Sequence, residues 1–200
     1  LENRARFLLE VIRACRGEVG PDYPLWCRID GAEYGVEPAI DYAQAAQVAL
    51  WAEEAGLDAV HVSGHGYGTQ FVTLCPGMPG FHLTGAAEVK RVVKVPVIAV
   101  GRIYPELAEW ALRERITDMI AMGRALIADP YLPLKAREGK IDEIRKCLAC
   151  MYCRKRFTQL KTIRCAVNAQ AGRERDSRIS PSQKHKEVVV IGGGPGGMEA

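Results

Sequence analysis

The sequence predicts a parallel α/β fold, and three observations predict it. Four short apolar segments are each followed by a stretch with helical spacing of its apolar residues. They recur at roughly 23 to 37 residues from start to start, the interval of β/α crossover units rather than of an antiparallel sheet. Two successive segments end in the same Gly-Arg pair. An eight-unit barrel and an open doubly wound sheet both satisfy this periodicity, so the chemistry at the strand ends has to choose between them.

The elements follow in order. Phe7, Leu8, Val11, Ile12 and Cys15 lie at helical spacing, predicting an amphipathic helix over 2–15 that Gly17, Gly20 and Pro21 end. Leu25 to Ile29 reads as a buried strand that contains Arg28 and is bounded by Pro24 and Asp30-Gly31. A helix from Pro38 to Gly56 and a strand from Ala59 to Ser63 come next, then a loop rich in Gly, Pro and Thr up to Gly85. A helix over 86–93 leads to the strand Val95–Val100, a helix Pro105–Arg115 to the strand Asp118–Met122, and a last helix follows Asp129-Pro130.

Composition is that of an ordinary globular chain: 200 residues, 48% hydrophobic, 26% charged and 7% aromatic, which excludes disordered, collagen-like and low-complexity classes. No run approaches the ~18 apolar residues of a membrane span, and Leu1-Glu2-Asn3-Arg4 lacks a signal-peptide pattern. A cytoplasmic location without a membrane partner is expected. The chain starts inside a helical pattern and stops just after a glycine-rich turn, as a piece of a longer protein would.

Net charge is only +3, but the distribution is uneven: residues 145–186 hold twelve Lys/Arg against Glu174 and Asp176. The remainder is acidic. Four of the seven cysteines, Cys147, Cys150, Cys153 and Cys165, fall in the same segment as C-x2-C-x2-C-x11-C. Three closely spaced thiolates with one remote partner can surround an iron–sulfur cubane, whereas structural zinc more often uses two separated C-x2-C knuckles. The spacing favours a [4Fe–4S] cluster and leaves zinc open; disulfides are disfavoured in a cytosolic chain. Lys146, Arg154, Lys155, Arg156, Lys161 and Arg164 flank the thiols, and cations there would stabilise a reduced, anionic cluster. A zinc-knuckle nucleic-acid binder is the rival from another class. Its basic residues would be interleaved with aromatics, which these are not, so no nucleic-acid partner is expected.

The Gly101-Arg102 and Gly123-Arg124 pairs suit a phosphate. Glycine admits close backbone approach, and the guanidinium supplies a bidentate, permanent charge. In β/α barrels a cofactor phosphate commonly sits after the seventh and eighth strands; if these are the last two barrel strands, the chain supplies the C-terminal half of a (β/α)8 TIM barrel. Gly192, Gly194 and Gly197 satisfy G-x-G-x-x-G after the apolar run Val188–Ile191, the pattern of a Rossmann-like dinucleotide site. His65 and Tyr67, in Gly64-His65-Gly66-Tyr67-Gly68, are candidate proton donors at a strand's carboxyl end. His61 reads as a packed core histidine, and His82 and His185 carry no legible role.

Taken together, LENRARF (1–7), the strand with Arg28, AVGRIYPE (99–106), MGRALIADP (122–130), the cysteine segment and the terminal glycine loop resemble the multidomain old yellow enzyme family, over nearly the whole chain. That family includes 2,4-dienoyl-CoA reductase, trimethylamine dehydrogenase and NADH:flavin oxidoreductases. The resemblance implies an FMN-binding barrel over 1–144, an iron–sulfur segment over 145–172, a linker over 173–186 and the start of an FAD domain over 187–200. It implies that Arg28 approaches the flavin N1/O2 edge, that Gly101, Arg102, Gly123 and Arg124 bind the FMN phosphate, and that Cys147, Cys150, Cys153 and Cys165 hold the cluster. A structural ion pair with Asp30 is the alternative for Arg28. By the same resemblance, electrons pass from NAD(P)H through FAD and the cluster to FMN, which reduces an activated C=C bond of a small-molecule substrate. Oxidative amine demethylation is the alternative, and the two residues between Cys150 and Cys153 look closer to that branch. The dienoyl-CoA reductase proton-donor position falls near Gly68, so that assignment does not carry over.

Overall fold

The computed structural model describes residues 1–66, 78–177, 180 and 183–199. Its elements are α1 (Glu2–Val19), β1 (Trp26–Tyr34), α2 (Tyr42–Glu54), β2 (Ala59–Gly66), α3 (Leu83–Lys90), β3 (Val97–Val100), α4 (Pro105–Arg113), β4 (Met119–Ala121), α5 (Arg124–Ala128), α6 (Leu132–Arg137), a 3-10 turn (Ile141–Glu143), α7 (Tyr152–Thr158) and α8 (Pro195–Glu199). The four strands form one parallel sheet in chain order, β1-β2-β3-β4.

Register divides the sheet into two faces. Cys27, Val60 and Val97 lie in one row and Ile29, Val62, Ala99 and Ile120 in another. Both rows pack against the helices through Ala49, Ala52, Ala86, Val89 and Ala111, each 0% exposed. Alanines let the helix axes come close to the sheet, and each fully buried valine contributes about 1.5–3 kcal/mol. The row Arg28-His61-Ile98-Met119 belongs to the opposite face. There Trp26 is 58% and Met119 49% exposed. Strands that add in one direction, with the core helices on one face, are ordered as in a barrel wall and not as in a doubly wound sheet.

Several boundaries differ from expectation, each for a local reason. Helix α1 runs through Gly17 to Val19 and ends at Gly20, φ 78°. Strand β1 continues through Asp30-Gly31 to Tyr34 because its ladder with β2 continues, with a register irregularity between Asp30 and Glu33. It is half-buried, not buried: Arg28 is exposed. Helix α2 starts at Tyr42 and not at Pro38, because the Asp41 side chain accepts the Gln44 N–H at 2.8 Å and caps it. Helix α5 was not foreseen. Val188–Ile191 forms no strand; its side chains are 48–96% exposed, and no described segment lies alongside to complete a ladder. No helix among the described residues is long and apolar enough to cross a membrane.

A small second core, Ala125, Leu132 and Ile144 against Tyr104 and Met122, seats α5 and α6 on the carboxyl ends of β3 and β4. Asp129 pins it. Only 3% exposed, its carboxylate accepts from Lys135 Nζ at 2.7 Å, Arg145 N at 2.9 Å and Tyr131 N at 3.0 Å. Burial pushes this carboxyl up, but the three donors outweigh it and hold the group below the usual range. The start of the cysteine segment is thereby tied to the sheet domain.

Candidate active site

The carboxyl ends of β3 and β4, with Arg28 from β1, enclose a cavity of about 260 Å³. Arg28, Gly101, Arg102, Gly123 and Arg124 all line it, so the five residues that the sequence singles out for FMN converge on one space. Its other walls include His82, Tyr104, Cys147 and Ala149. Arg28 donates to Ser63 Oγ rather than pairing with Asp30, and its guanidinium meets the cavity from the β1 side.

The two Gly-Arg pairs are alike in sequence and unlike in backbone. Gly101 has φ +131° and Arg102 φ +52°, both left-handed, whereas Gly123 has φ −103° and starts α5. A Cβ at Gly101 would stand 3.1 Å from His82 Cδ2 and 3.3 Å from His82 N; at Gly123 it would meet nothing within 4 Å. The first glycine is required by conformation and packing, and the second leaves open space beside the cavity.

His82 is a site residue that sequence reasoning missed. It is 6% exposed, and its ring occupies the gap left by the absent side chains of Gly64 and Gly101. Burial, and then the nearby Arg28 charge, hold its imidazole down at about 4, so it is neutral at pH 7. No spacing rule marks it, since two strand ends distant in sequence create its niche. His61 is half-buried, and its Nε2 is enclosed with no hydrogen-bond partner among the described residues. His65 is exposed at the end of β2 and does not line the cavity. Tyr67 lies outside the described residues.

The cysteine segment adjoins this cavity. Cys147, Cys150, Cys153 and Cys165, all free thiols, line a smaller second cavity together with Arg124 and Met151. Ala149 (φ 55°) and Met151 (φ 59°) adopt the left-handed conformation, which folds C-L-A-C-M-Y-C back on itself and turns its thiols toward one space. Burial pushes the Cys153 thiol up, with Cys147 and Cys165 adding to the effect, while the Arg154 N–H and the Arg124 charge oppose it. Among the described residues, no group of three or more His, Cys, Asp or Glu side chains is placed to hold a metal ion, and the cavity that the four thiols line is small, about 10 Å³.

Two contacts latch this loop to the strand ends. Tyr104 Oη donates to the Cys147 carbonyl at 3.1 Å, and Arg124 Nη1 donates to Met151 Sδ at 3.0 Å. Asn168, 6% exposed, adds a third tether by donating to the Ile127 carbonyl at 2.8 Å.

In the terminal loop Gly192 has φ +109°, and a Cβ at Gly197 would collide with the Gly192 carbonyl oxygen. Gly194 meets nothing within 4 Å and stays open to an approaching group. The turn is therefore formed, without the strand that should precede it.

The family model for NADH:flavin oxidoreductases and NADH oxidases matches residues 1–143. NADH oxidase of Thermoanaerobacter brockii is 44% identical over 205 residues, covering 100% of this chain and 31% of that protein. N,N-dimethylglycine/sarcosine dehydrogenase of Chromohalobacter salexigens is 39% identical over 212 residues, covering 100% of this chain and 30% of that protein. Among solved structures, a 2-naphthoyl-CoA reductase superposes with a TM-score of 0.88 at 35% identity, covering 100% of this chain and 31% of its own. The chain thus spans about a third of the length of the relatives it matches. With a parallel β/α wall, a strand-end cavity carrying three arginines and a family match over most of its length, the chain belongs to the NADH:flavin oxidoreductase / NADH oxidase family.

Proposed function

We propose that this chain is the FMN-binding half-barrel and cluster-binding segment of an NAD(P)H-dependent reductase acting on an activated, carbonyl-conjugated C=C bond. The observation that carries the proposal is the junction of the two cavities: the walls that offer two Gly-Arg pairs and Arg28 to a flavin also contain Cys147. A flavin site and a four-cysteine centre sharing a wall suit electron transfer between them.

The residues fit the groups. Arg102 and Arg124 offer fixed charge where a phosphate would lie, and the open side of Gly123 leaves it room. Arg28, oriented by Ser63, places positive charge at the β1 side, where it favours an anionic reduced ring. His82 presents a neutral imidazole that can donate or accept a hydrogen bond without adding charge. Cys147, Cys150, Cys153 and Cys165 would hold a [4Fe–4S] cluster, and Gly192, Gly194 and Gly197 one edge of an FAD site. FMN, when bound, supplies hydride transfer; the chain positions it and sets its electrostatics. Residues 1–144, 145–172, 173–186 and 187–200 are the corresponding barrel, cluster, linker and FAD-domain segments. His65 and Tyr67 remain the proposed proton donors within this chain, and His65 would reach a substrate only from the outer rim.

A second reading, oxidative amine demethylation, is favoured by the two-residue spacing between Cys150 and Cys153 and by the dehydrogenase relative. The test is anaerobic stopped-flow absorbance of the flavin-loaded protein. Reoxidation of reduced flavin by an enoyl thioester supports the reductase. Reduction of oxidised flavin by a secondary methylamine, with no response to the thioester, overturns it in favour of the demethylase.

A further inference from the structure

Arg124 is the side chain that lines both cavities and also donates to the cysteine loop. The partner it donates to is a thioether, a weak acceptor that leaves the guanidinium charge uncompensated. Among the described residues it forms no ion pair with a carboxylate. The sulfur it holds belongs to Met151, a non-glycine residue at φ 59°, between Cys150 and Cys153. That left-handed backbone is unfavourable for a residue with a side chain and needs tertiary contacts to hold it in place. One cation therefore faces an anion site on one side and steadies a strained thiol-bearing loop on the other.

We propose that Arg124 links the two sites: its charge favours the reduced form of the four-cysteine centre, and a phosphate in the first cavity draws that charge away and lowers the centre's reduction potential. This rests on the reading of the cavities as flavin and cluster sites. The physical basis is direct. A nearby positive charge stabilises an added electron, and a phosphate engages a guanidinium by two charge-assisted bonds that a thioether cannot match. Occupancy of the flavin-phosphate site would thus be reported to the cluster through a single side chain. Arg124 acts here as a positioning and charge-setting residue, in addition to its part in phosphate binding.

The experiment is an EPR-monitored redox titration of the full-length, iron-loaded protein stripped of flavin, with and without inorganic phosphate as the probe. In the wild type, phosphate is expected to move the cluster potential downward. Arg124→Gln is expected to start at a lower potential and to lose the phosphate-dependent shift, and Arg124→Lys to recover part of both. Equal potentials and equal phosphate shifts in wild type and Arg124→Gln overturn the proposal while leaving the cluster reading intact. Wild-type protein that loads no iron overturns the cluster reading itself. Should Arg124→Gln fail to load iron, Met151→Leu carries the test, since it keeps the charge but releases it from the loop. A smaller phosphate shift supports the link, and an unchanged one overturns it.

Discussion

Substituting the two strand-end glycines separately should give opposite results. At Gly101 an alanine must adopt φ +131°, which costs on the order of 1–3 kcal/mol. Its Cβ would also press on His82 Cδ2 at 3.1 Å and on the His82 backbone nitrogen at 3.3 Å. The backbone atom cannot rotate away, so overpacking adds about 1–3 kcal/mol. Together these amount to a large part of a typical domain's stability of about 5–15 kcal/mol. At Gly123, φ −103° suits any residue and nothing stands within 4 Å, so an alanine should change stability by no more than about 0.5 kcal/mol. Its methyl group, however, enters space beside the cavity that we assign to phosphate. The assays are thermal denaturation and fluorimetric FMN titration. Gly101→Ala should lower Tm by roughly 4 °C or more, at about 2–4 °C per kcal/mol for a domain of this size. Gly123→Ala should keep Tm and weaken FMN binding. A Gly101→Ala protein that melts with the wild type, or a Gly123→Ala protein that is the less stable of the two, would refute the reasoning.

Further outcomes follow from the same structure. The His82 imidazole is held at about 4 in the folded chain against about 6.5 unfolded, so the unfolded state binds the extra proton between those values. Stability should therefore be intact above pH 6.5 and fall by about 1.4 kcal/mol per pH unit below it, with the loss complete near pH 4. Denaturant midpoints between pH 6.5 and 5 should show a smaller slope in His82→Gln, and an identical slope would count against this origin. Asp129→Asn should cost about 1–3 kcal/mol by leaving the Lys135 ammonium and the Arg145 N–H poorly matched at this buried position, as read by chemical denaturation. Tyr104→Phe should cost about 0.5–1.5 kcal/mol and loosen the loop at Cys147, which hydrogen exchange would register. Cys150→Ser should remove iron while FMN stays bound; full iron content would refute its role as a ligand.

The sheet was legible because β-branched apolar runs such as Val60-His61-Val62 and Val97-Ile98 carry their strand preference locally. The cavity was partly legible, since Gly-Arg at two successive strand ends predicts convergence whatever the details of the backbone. Nothing in the letters separates Gly101 from Gly123, because the difference lies in φ and in what packs alongside. His82 was invisible for a related reason: its niche is made by Gly64 and Gly101, eighteen residues before it and nineteen after. Propensity was overridden where pairing continued past Asp30-Gly31, and it was insufficient at Val188–Ile191, where an apolar run has no neighbour among the described residues to pair with. The latches Tyr104 to Cys147 and Arg124 to Met151 join segments more than twenty residues apart through side-chain geometry alone.

The central claim is that a flavin site and a four-cysteine cluster site share a wall in this chain. Metal and flavin analysis of anaerobically purified full-length protein tests it most directly. About four irons per chain together with bound FMN, and a broad absorbance near 400 nm that bleaches on reduction, are expected. Colourless protein holding zinc and no flavin would contradict it.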